Sequence, residues 1–409
     1  MTKISEYKKI FSWNFSILTF GNLTSKIGTV IYNVILTWWI VEKTNSAKPI
    51  GYITAAAMIP GIIFNIFSGV IVDKFNKKKL LVLSDFLSAI TCVTVSIIIK
   101  NGSVNIPVLI LSSFLLGVSE SLFTPCVKSI VPDIIEKKYI VQSNSITSTF
   151  SQVIKIVAPI VAGILYTKTS LTVAGVFFLN GITFFISALS EALIIYKPIA
   201  KKNESKFLIK DFKLGLMYLK GTEWLIKLLM ASALVNIFIA AYNVLLPLFL
   251  KTAFVDGGMV YGKALSYEAI GSIIGAITLN LFKKKKSIFS LGTEILLCGI
   301  CTIGIQFTFN QYVTLMFVLL FGLFLTRFNI MFFSLVQINV NKEMLGRVFS
   351  LIFMTSLSLM PISNLIFGFL GDYIIKYIYF FTGGGIALTS ILIFKIDEDS
   401  LPKVLDNNM

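Results

Sequence analysis

Histidine is absent from all 409 residues, arginine occurs only as Arg327 and Arg347, and cysteine only four times. Without histidine the commonest ligand for zinc and haem iron is missing, and any proton relay must be built from carboxylates. Charge is scarce as well: 14% of the residues are charged, against roughly a quarter in soluble proteins. What fills the chain is apolar, 56% of residues with a mean hydropathy of +0.86. No soluble core of this length buries that much apolar surface, so the bilayer is the expected solvent.

A helix crossing the hydrocarbon needs about 20 mostly apolar residues, and such segments recur along the whole chain. They run Phe11 to Val41, Ile50 to Val72, Leu80 to Ile99, Pro107 to Cys126, Ser145 to Tyr166 and Leu171 to Ile195. After a polar stretch come Trp224 to Leu250, Leu265 to Phe282, Ile288 to Phe309, Tyr312 to Gln337, Val348 to Asp372 and Ile374 to Phe394. Barrel strands would instead alternate over about ten residues. The expectation is an all-α membrane protein of about twelve spans in two six-helix bundles.

Lysine placement tests this map independently, because cytoplasmic loops are enriched in it. Alternate loops hold Lys74 with Lys77, Lys78 and Lys79; Lys128, Lys137 and Lys138; Lys283 to Lys286; and Lys342 with Arg347. The loops between them hold only Lys43, Lys48, Lys100, Lys168, Lys251, Lys263 and Lys376. The same side is favoured throughout, so a multi-pass plasma-membrane protein with both termini cytoplasmic is expected. The net charge of +16 then serves topology, and a nucleic-acid partner, which requires one continuous basic face, is not expected. Lys3, Lys8 and Lys9 before the first apolar run resemble a secretory leader, but that run is too long and has internal polar residues. Of the cysteines, Cys298 and Cys301 make a C-x-x-C inside a span, where packing is the expected role; no metal and no cofactor are anticipated.

The polar stretch Lys197 to Gly221 contains seven lysines. Leu208, Phe212, Leu216 and Leu219 recur in it at helical spacing, as in a basic amphipathic helix on an anionic lipid surface. The expected organisation is residues 1–196 as a first bundle, 197–222 as the linker, 223–396 as a second bundle and 397–409 as a cytoplasmic tail. The halves echo each other, with lysine clusters after their second spans and prolines, Pro159 and Pro361, in their fifth. Such repeats are typical of secondary transporters.

The stretch Gly69-Val70-Ile71-Val72-Asp73-Lys74-Phe75-Asn76-Lys77-Lys78-Lys79 resembles the signature between helices two and three of the major facilitator superfamily, with Asn76 where that family usually has glycine. Glu42-Lys43-Thr44-Asn45-Ser46-Ala47, Thr124-Pro125, Leu345-Gly346-Arg347-Val348-Phe349-Ser350-Leu351 and Ser358-Leu359-Met360-Pro361-Ile362 resemble its macrolide-efflux type of drug exporters. The family's basic residue in the fourth helix is replaced here by Leu116, and the exporter-type Gly-Pro of the fifth is Ala158-Pro159. The resemblance implies alternating access, proton antiport and efflux of a hydrophobic drug such as a macrolide. Gating is expected of Gly69, Asp73, Lys74, Lys77, Lys78, Asp85, Pro159, Arg347 and Pro361, since a carboxylate beside lysines at a helix end can latch a neighbouring helix.

Ionisable groups inside spans cost roughly 2.5 to 3.5 kcal/mol each, so they usually face a cavity or a partner. They are Lys26, Glu120, Lys155, Glu294 and Arg327; Asp85, Glu191, Lys227 and Glu268 lie nearer the ends, where side chains can snorkel. Asn22, Lys26, Thr29 and Asn33 share one face of the first helix. Asn236 and Asn243 on the seventh, Arg327 and Ser334 on the tenth and Glu120 on the fourth complete a polar lining, since the resemblance implies that helices one, four, seven and ten line the cavity. Glu120, Glu268 and Glu294 are the candidate proton carriers. Lys155 could neutralise Glu120. A small-molecule substrate, protons and lipids are the expected partners of a monomer.

Other readings follow from the same residues. Lys26, Lys155 and Arg327 could make the cavity basic enough for a small anionic metabolite, and the chain could be a non-transporting sensor or lipid-handling member of the fold. An enzyme is not expected, as no H-E-x-x-H and no aspartate-rich magnesium motif occurs. Gly257 to Ala264 nearly matches a nucleotide-binding loop, but Ala264 lacks the hydroxyl for Mg²⁺ and the stretch reads as an external loop with no strand before it.

Overall fold

The computed structural model describes residues 12–100, 105–136, 139–169, 171–196, 214, 216–281, 287–308 and 310–397, without the side chains of 65–74, 141, 280, 281, 342 and 357. Twelve long α-helices stand among them. They are α1 (Trp13–Thr44), α2 (Lys48–Lys74), α3 (Lys77–Ile98), α4 (Ile106–Ile134), α5 (Ile140–Lys168), α6 (Val173–Ala192), α7 (Glu223–Ala253), α8 (Gly257–Leu281), α9 (Ile288–Gln306), α10 (Gln311–Asn339), α11 (Lys342–Ile374) and α12 (Ile378–Phe394). Eight described stretches are long and apolar enough to cross a membrane, the last of them, Glu343–Phe394, containing two helices. The all-α membrane architecture expected from hydropathy is the one observed.

Short polar residues set many helix starts, because their side chains accept the orphan amide protons of a first turn. Ser12 accepts from Phe15, Asn76 from Lys79, Asn105 from Val108, Thr172 from Gly175 and Ser287 from Ser290. The end of α1 is turned by Asn45, the one described non-glycine residue with positive φ, at 50°, a conformation asparagine tolerates. The helix beginning at Asn76 thus starts within the lysine-rich signature, where the side chain that replaces glycine acts as a cap. Most of the expected amphipathic linker helix lies outside the described residues; residues 216–220 are helical.

Two helices extend well beyond the apolar runs that announce them. α4 continues from Cys126 to Ile134 through Lys128, Pro132 and Asp133, and α8 begins at Gly257 instead of Leu265. The near match to a nucleotide-binding loop is therefore the first two turns of a helix, with Ala264 fully buried. Charge and glycine mark these turns as loops by composition, whereas tertiary packing keeps them helical.

The chain divides into two compact units, Met1–Asn45 with Tyr52–Glu204, and Ser46–Gly51 with Ser205–Met409. In the first unit α1 packs on α5 and α6, and α3 on α4 and α6. In the second, α7 packs on α11 and α12, and α9 on α10 and α12. Each of these pairings in the first unit has its counterpart six helices later, which is the internal repeat in structural form.

The helix pairs close through small residues. A Cβ on Gly117 of α4 would overlap the Ala57 carbonyl of α2; one on Gly271 or Gly275 of α8 would overlap the carbonyls of Leu319 or Leu323 of α10, and one on Gly322 that of Glu268. Backbones in such direct contact are the usual way to bind helices where lipid removes the hydrophobic drive. Larger side chains fill the rest. Leu18, Leu81, Phe123, Cys126, Ile130 and Ile194 form a buried cluster in the first unit, and Tyr242 stacks on Phe321 at 4.3 Å in the second. Outward apolar residues such as Ile97, Leu111, Leu189, Phe289 and Leu388 are exposed, as lipid-facing positions are.

Candidate functional site

In the first unit the polar face of α1 carries Asn22, Lys26 and Thr29, each half-buried, and Asn33, exposed. Lys26 Nζ donates to Ser151 Oγ on α5 at 2.9 Å. Lys155, one turn further along α5, and Glu120 on α4 both act electrostatically on Lys26. Lys155 and Glu120 are exposed, and Glu120 accepts a hydrogen bond from Thr124 at 2.7 Å on its own helix. Three helices thus bring two ammonium groups and one carboxylate into electrostatic range, with a serine and a threonine hydroxyl bound to Lys26 and Glu120.

The second unit treats its charges differently. Arg327 on α10 donates through Nε at 2.8 Å to Glu294 Oε1 on α9, its terminal nitrogen lies 2.7 Å from the same oxygen, and the other reaches Thr278 on α8 at 3.3 Å. Glu294 is 5% exposed and its Oε2 has no hydrogen-bond partner. The guanidinium is therefore neutralised inside a three-helix contact, and Glu294 is tied to it. Glu268 on α8 is half-buried, with its carbonyl facing Gly322 of α10. Asn236 donates to the Ser232 carbonyl at 2.8 Å and Ser334 to the Ile330 carbonyl at 2.7 Å, both along their own helices, while Asn243 is exposed.

Beyond the capping asparagine, Lys77 reaches from the first turn of α3 into the last turns of α4. Its ammonium donates to Asp133 Oδ2 at 2.5 Å and to the Ser129 carbonyl at 2.8 Å, and the two side chains are 8% and 12% exposed. Tyr196, just past α6, donates to the same Asp133 oxygen at 3.1 Å. Burial, together with the Asp133 charge, pushes the Tyr196 phenol up to about 12, so it remains a donor at physiological pH. This clamp joins the starts and ends of three elements. Of the other residues assigned to gating, Gly69, Asp73 and Lys74 lie outside the described side chains. Lys78 is half-buried, Arg347 donates to Met344 Sδ at 3.1 Å, and Pro159 and Pro361 are buried inside α5 and α11.

Asp85 and Glu191 do not snorkel. They are 3% and 0% exposed, on α3 and α6. Sequence reasoning also passed over Ser151, Asp133 and Tyr196. Asp133 had a signal in its position, a carboxylate beside Pro132 in a lysine-rich stretch, but its partner is 56 residues away and no periodicity links them. Among the described residues no group of three or more His, Cys, Asp or Glu side chains is placed to hold a metal ion.

The model of the Major Facilitator Superfamily matches residues 18–363. The Staphyloferrin A transporter of Staphylococcus aureus is 27% identical over 384 residues, covering 89% of each chain. Macrolide efflux protein A of Streptococcus pyogenes is 22% identical over 405 residues, covering 96% of this chain and 98% of its own. Among solved structures, a bacterial homologue of the iron transporter ferroportin in an inward-facing state has a TM-score of 0.74 at 15% identity, covering 93% of this chain and 98% of that one. A bacterial homologue of the human lysosomal transporter Spinster has a TM-score of 0.75 at 12% identity, covering 95% and 98%. Family match, twelve helices and repeated bundles agree, and the chain belongs to the Major Facilitator Superfamily of membrane transporters.

Proposed function

We propose that the protein is a proton-coupled exporter of an amphiphilic small molecule, working by alternating access, with Lys26, Glu120 and Lys155 as the polar centre of its first unit. The observation that carries this reading is the electrostatic contact of Lys26 with an exposed carboxylate, Glu120, and with a second cation, Lys155. At a separation of about 8 Å, beyond ion-pair contact, a unit charge still contributes on the order of 2 kcal/mol at an effective dielectric of about 20. Protonating Glu120 therefore changes the local field enough to expel one class of ligand and admit another. An organic cation competes with the proton for Glu120, which is the linkage an antiporter needs. Similarity along nearly the whole chain to Macrolide efflux protein A supports a hydrophobic, weakly basic substrate. Asn22, Thr29 and Asn33 on α1 supply hydrogen bonds in this reading, and Glu268 of the second unit is a second carrier candidate.

One observation favours an anionic substrate instead. Arg327 is neutralised by Glu294, yet Lys26 and Lys155 outnumber Glu120, so the first unit retains an excess of positive charge with all three ionised. Accumulation of a labelled macrolide and of a labelled organic polycarboxylate, in cells with and without the protein and a protonophore, separates the two. Protonophore-sensitive loss of the macrolide that E120Q abolishes supports export of a base. Movement of the polycarboxylate alone, abolished by K26Q, supports the anion. No effect on either probe refutes both.

A further inference from the structure

The first unit contains a pair of ionisable groups that neither the Lys26 cluster nor the Lys77 clamp uses. Glu191, in the last turn of α6, is fully buried and neither of its carboxyl oxygens has a hydrogen-bond partner. Asp85 lies on α3, which packs against α6, and acts on Glu191 electrostatically; its Oδ2 also lacks a partner. Ser187, one turn before Glu191, is fully buried, and its hydroxyl acts on both carboxyl groups. Four polar atoms here, Asp85 Oδ2, Ser187 Oγ and both Glu191 oxygens, are buried without a well-formed hydrogen bond. On the α1 side the enclosure is tight: a Cβ at Gly21 would come within 3.0 Å of the Ser187 hydroxyl and overlap that of Ser190.

Among the described residues, the surrounding charges supply no counterion. From α4, Glu120 acts on Asp85 and the Cys126 thiol faces Glu191. Lys77 acts on Cys126, but its ammonium is bound to Asp133 and the Ser129 carbonyl. On α1, Lys26 faces Glu120 and Lys155. Two ionised carboxylates facing each other here would be unpaired, desolvated and mutually repulsive, an arrangement that packed proteins avoid by neutralising a group.

We propose that Asp85 and Glu191 form a proton-binding site, a buried carboxyl pair that holds a proton while α3 and α6 are packed and releases it to water when they part. The bound proton gives one carboxyl an O–H donor and the other an acceptor role, and the Ser187 hydroxyl is positioned to join them. Breaking the pair separates one O–H bond and transfers its proton to water, leaving a carboxylate that is stable only once hydrated. The site is distinct from Glu120 and does not depend on which substrate is carried.

Two measurements test it on the purified full chain, neither involving transport, so that the outcome is independent of the substrate assignment. In infrared spectra at neutral pH the wild type should show the carbonyl stretch of un-ionised carboxyl groups, reduced in D85N and in E191Q and unchanged in E120Q. Both substitutions mimic a protonated carboxyl in size and polarity. On denaturation into neutral buffer the wild type should release about one proton from this pair, and the D85N/E191Q protein correspondingly fewer. Since the folded state then binds more protons than the unfolded one, wild-type stability falls as pH rises from acid to neutral, and the double variant flattens that slope. An un-ionised carboxyl signal that survives intact in D85N/E191Q overturns the proposal, as does a wild type that releases no proton on denaturation.

Discussion

Replacing Lys77 by methionine keeps most of the side-chain volume and removes the ammonium that binds Asp133 and the Ser129 carbonyl. Breaking a buried ion pair by deleting one partner costs about 3–5 kcal/mol, largely because the remaining charge is stranded. Asp133 retains the Tyr196 hydroxyl at 3.1 Å and is 12% exposed, so the lower end of that range, about 3 kcal/mol, is expected. D133N should cost less, about 1–2 kcal/mol, because Lys77 still has a carbonyl acceptor. With both changes the stranded charge disappears, and the K77M/D133N protein should be at least 1 kcal/mol or so more stable than the two single losses added together. Equilibrium unfolding in mixed micelles with increasing denaturing detergent, followed by tryptophan fluorescence, reads this directly. Trp38 and Trp39 are buried in the first unit and report the half that contains the clamp. Single losses that simply add in the double variant would refute a coupled ion pair, and a K77M protein as stable as wild type would refute its structural importance altogether.

Other expectations follow from the second unit and from the polar centre of the first. Gly271→Leu should force α8 away from α10, since even a Cβ overlaps the Leu319 carbonyl, and reduce the yield of monodisperse protein in size-exclusion chromatography at least severalfold; wild-type behaviour would show the contact to be dispensable. R327Q strands buried Glu294 and should destabilise by about 3 kcal/mol, with E294Q/R327Q recovering part of the loss in the same unfolding assay. D372A removes the carboxylate that accepts from the Ala47 amide at 2.8 Å and from Ser46 at 2.5 Å, ahead of the first turn of α2, and should cost about 0.5–2 kcal/mol as loss of a helix-capping acceptor does. E120Q should leave the folded protein intact by circular dichroism while uncoupling transport from the proton gradient; unchanged protonophore sensitivity would remove Glu120 from the coupling scheme.

The helices were legible because hydropathy over about 20 residues is a long-range average that single polar residues barely disturb. Their ends were not, where α4 runs on through Pro132 and Asp133 and α8 starts at two glycines, because there a specific contact decides and composition points the other way. The polar face of α1 could be read from spacing alone, since four residues on one helix need no knowledge of a neighbour. Whether Lys26 meets Ser151, or Arg327 meets Glu294 33 residues away, depends on which helices touch, and helix periodicity contains no such information. Glu191 is the clearest case. Its position near a helix end suggests a side chain reaching for water, yet the packing of α6 on α1 and α3 buries it completely.

The four cysteines are all buried and unpaired, Cys92, Cys126 and Cys298 with no exposed surface and Cys301 with 5%. A thiol sealed in a packed helix contact is inert towards water-soluble maleimides. The native chain is therefore its own blank for labelling: a single cysteine placed anywhere on its surface becomes the one reactive thiol among the described residues. Site-by-site labelling from either side of the membrane can begin on the unaltered background, with the tight packing around Cys92, Cys126, Cys298 and Cys301 left as it is.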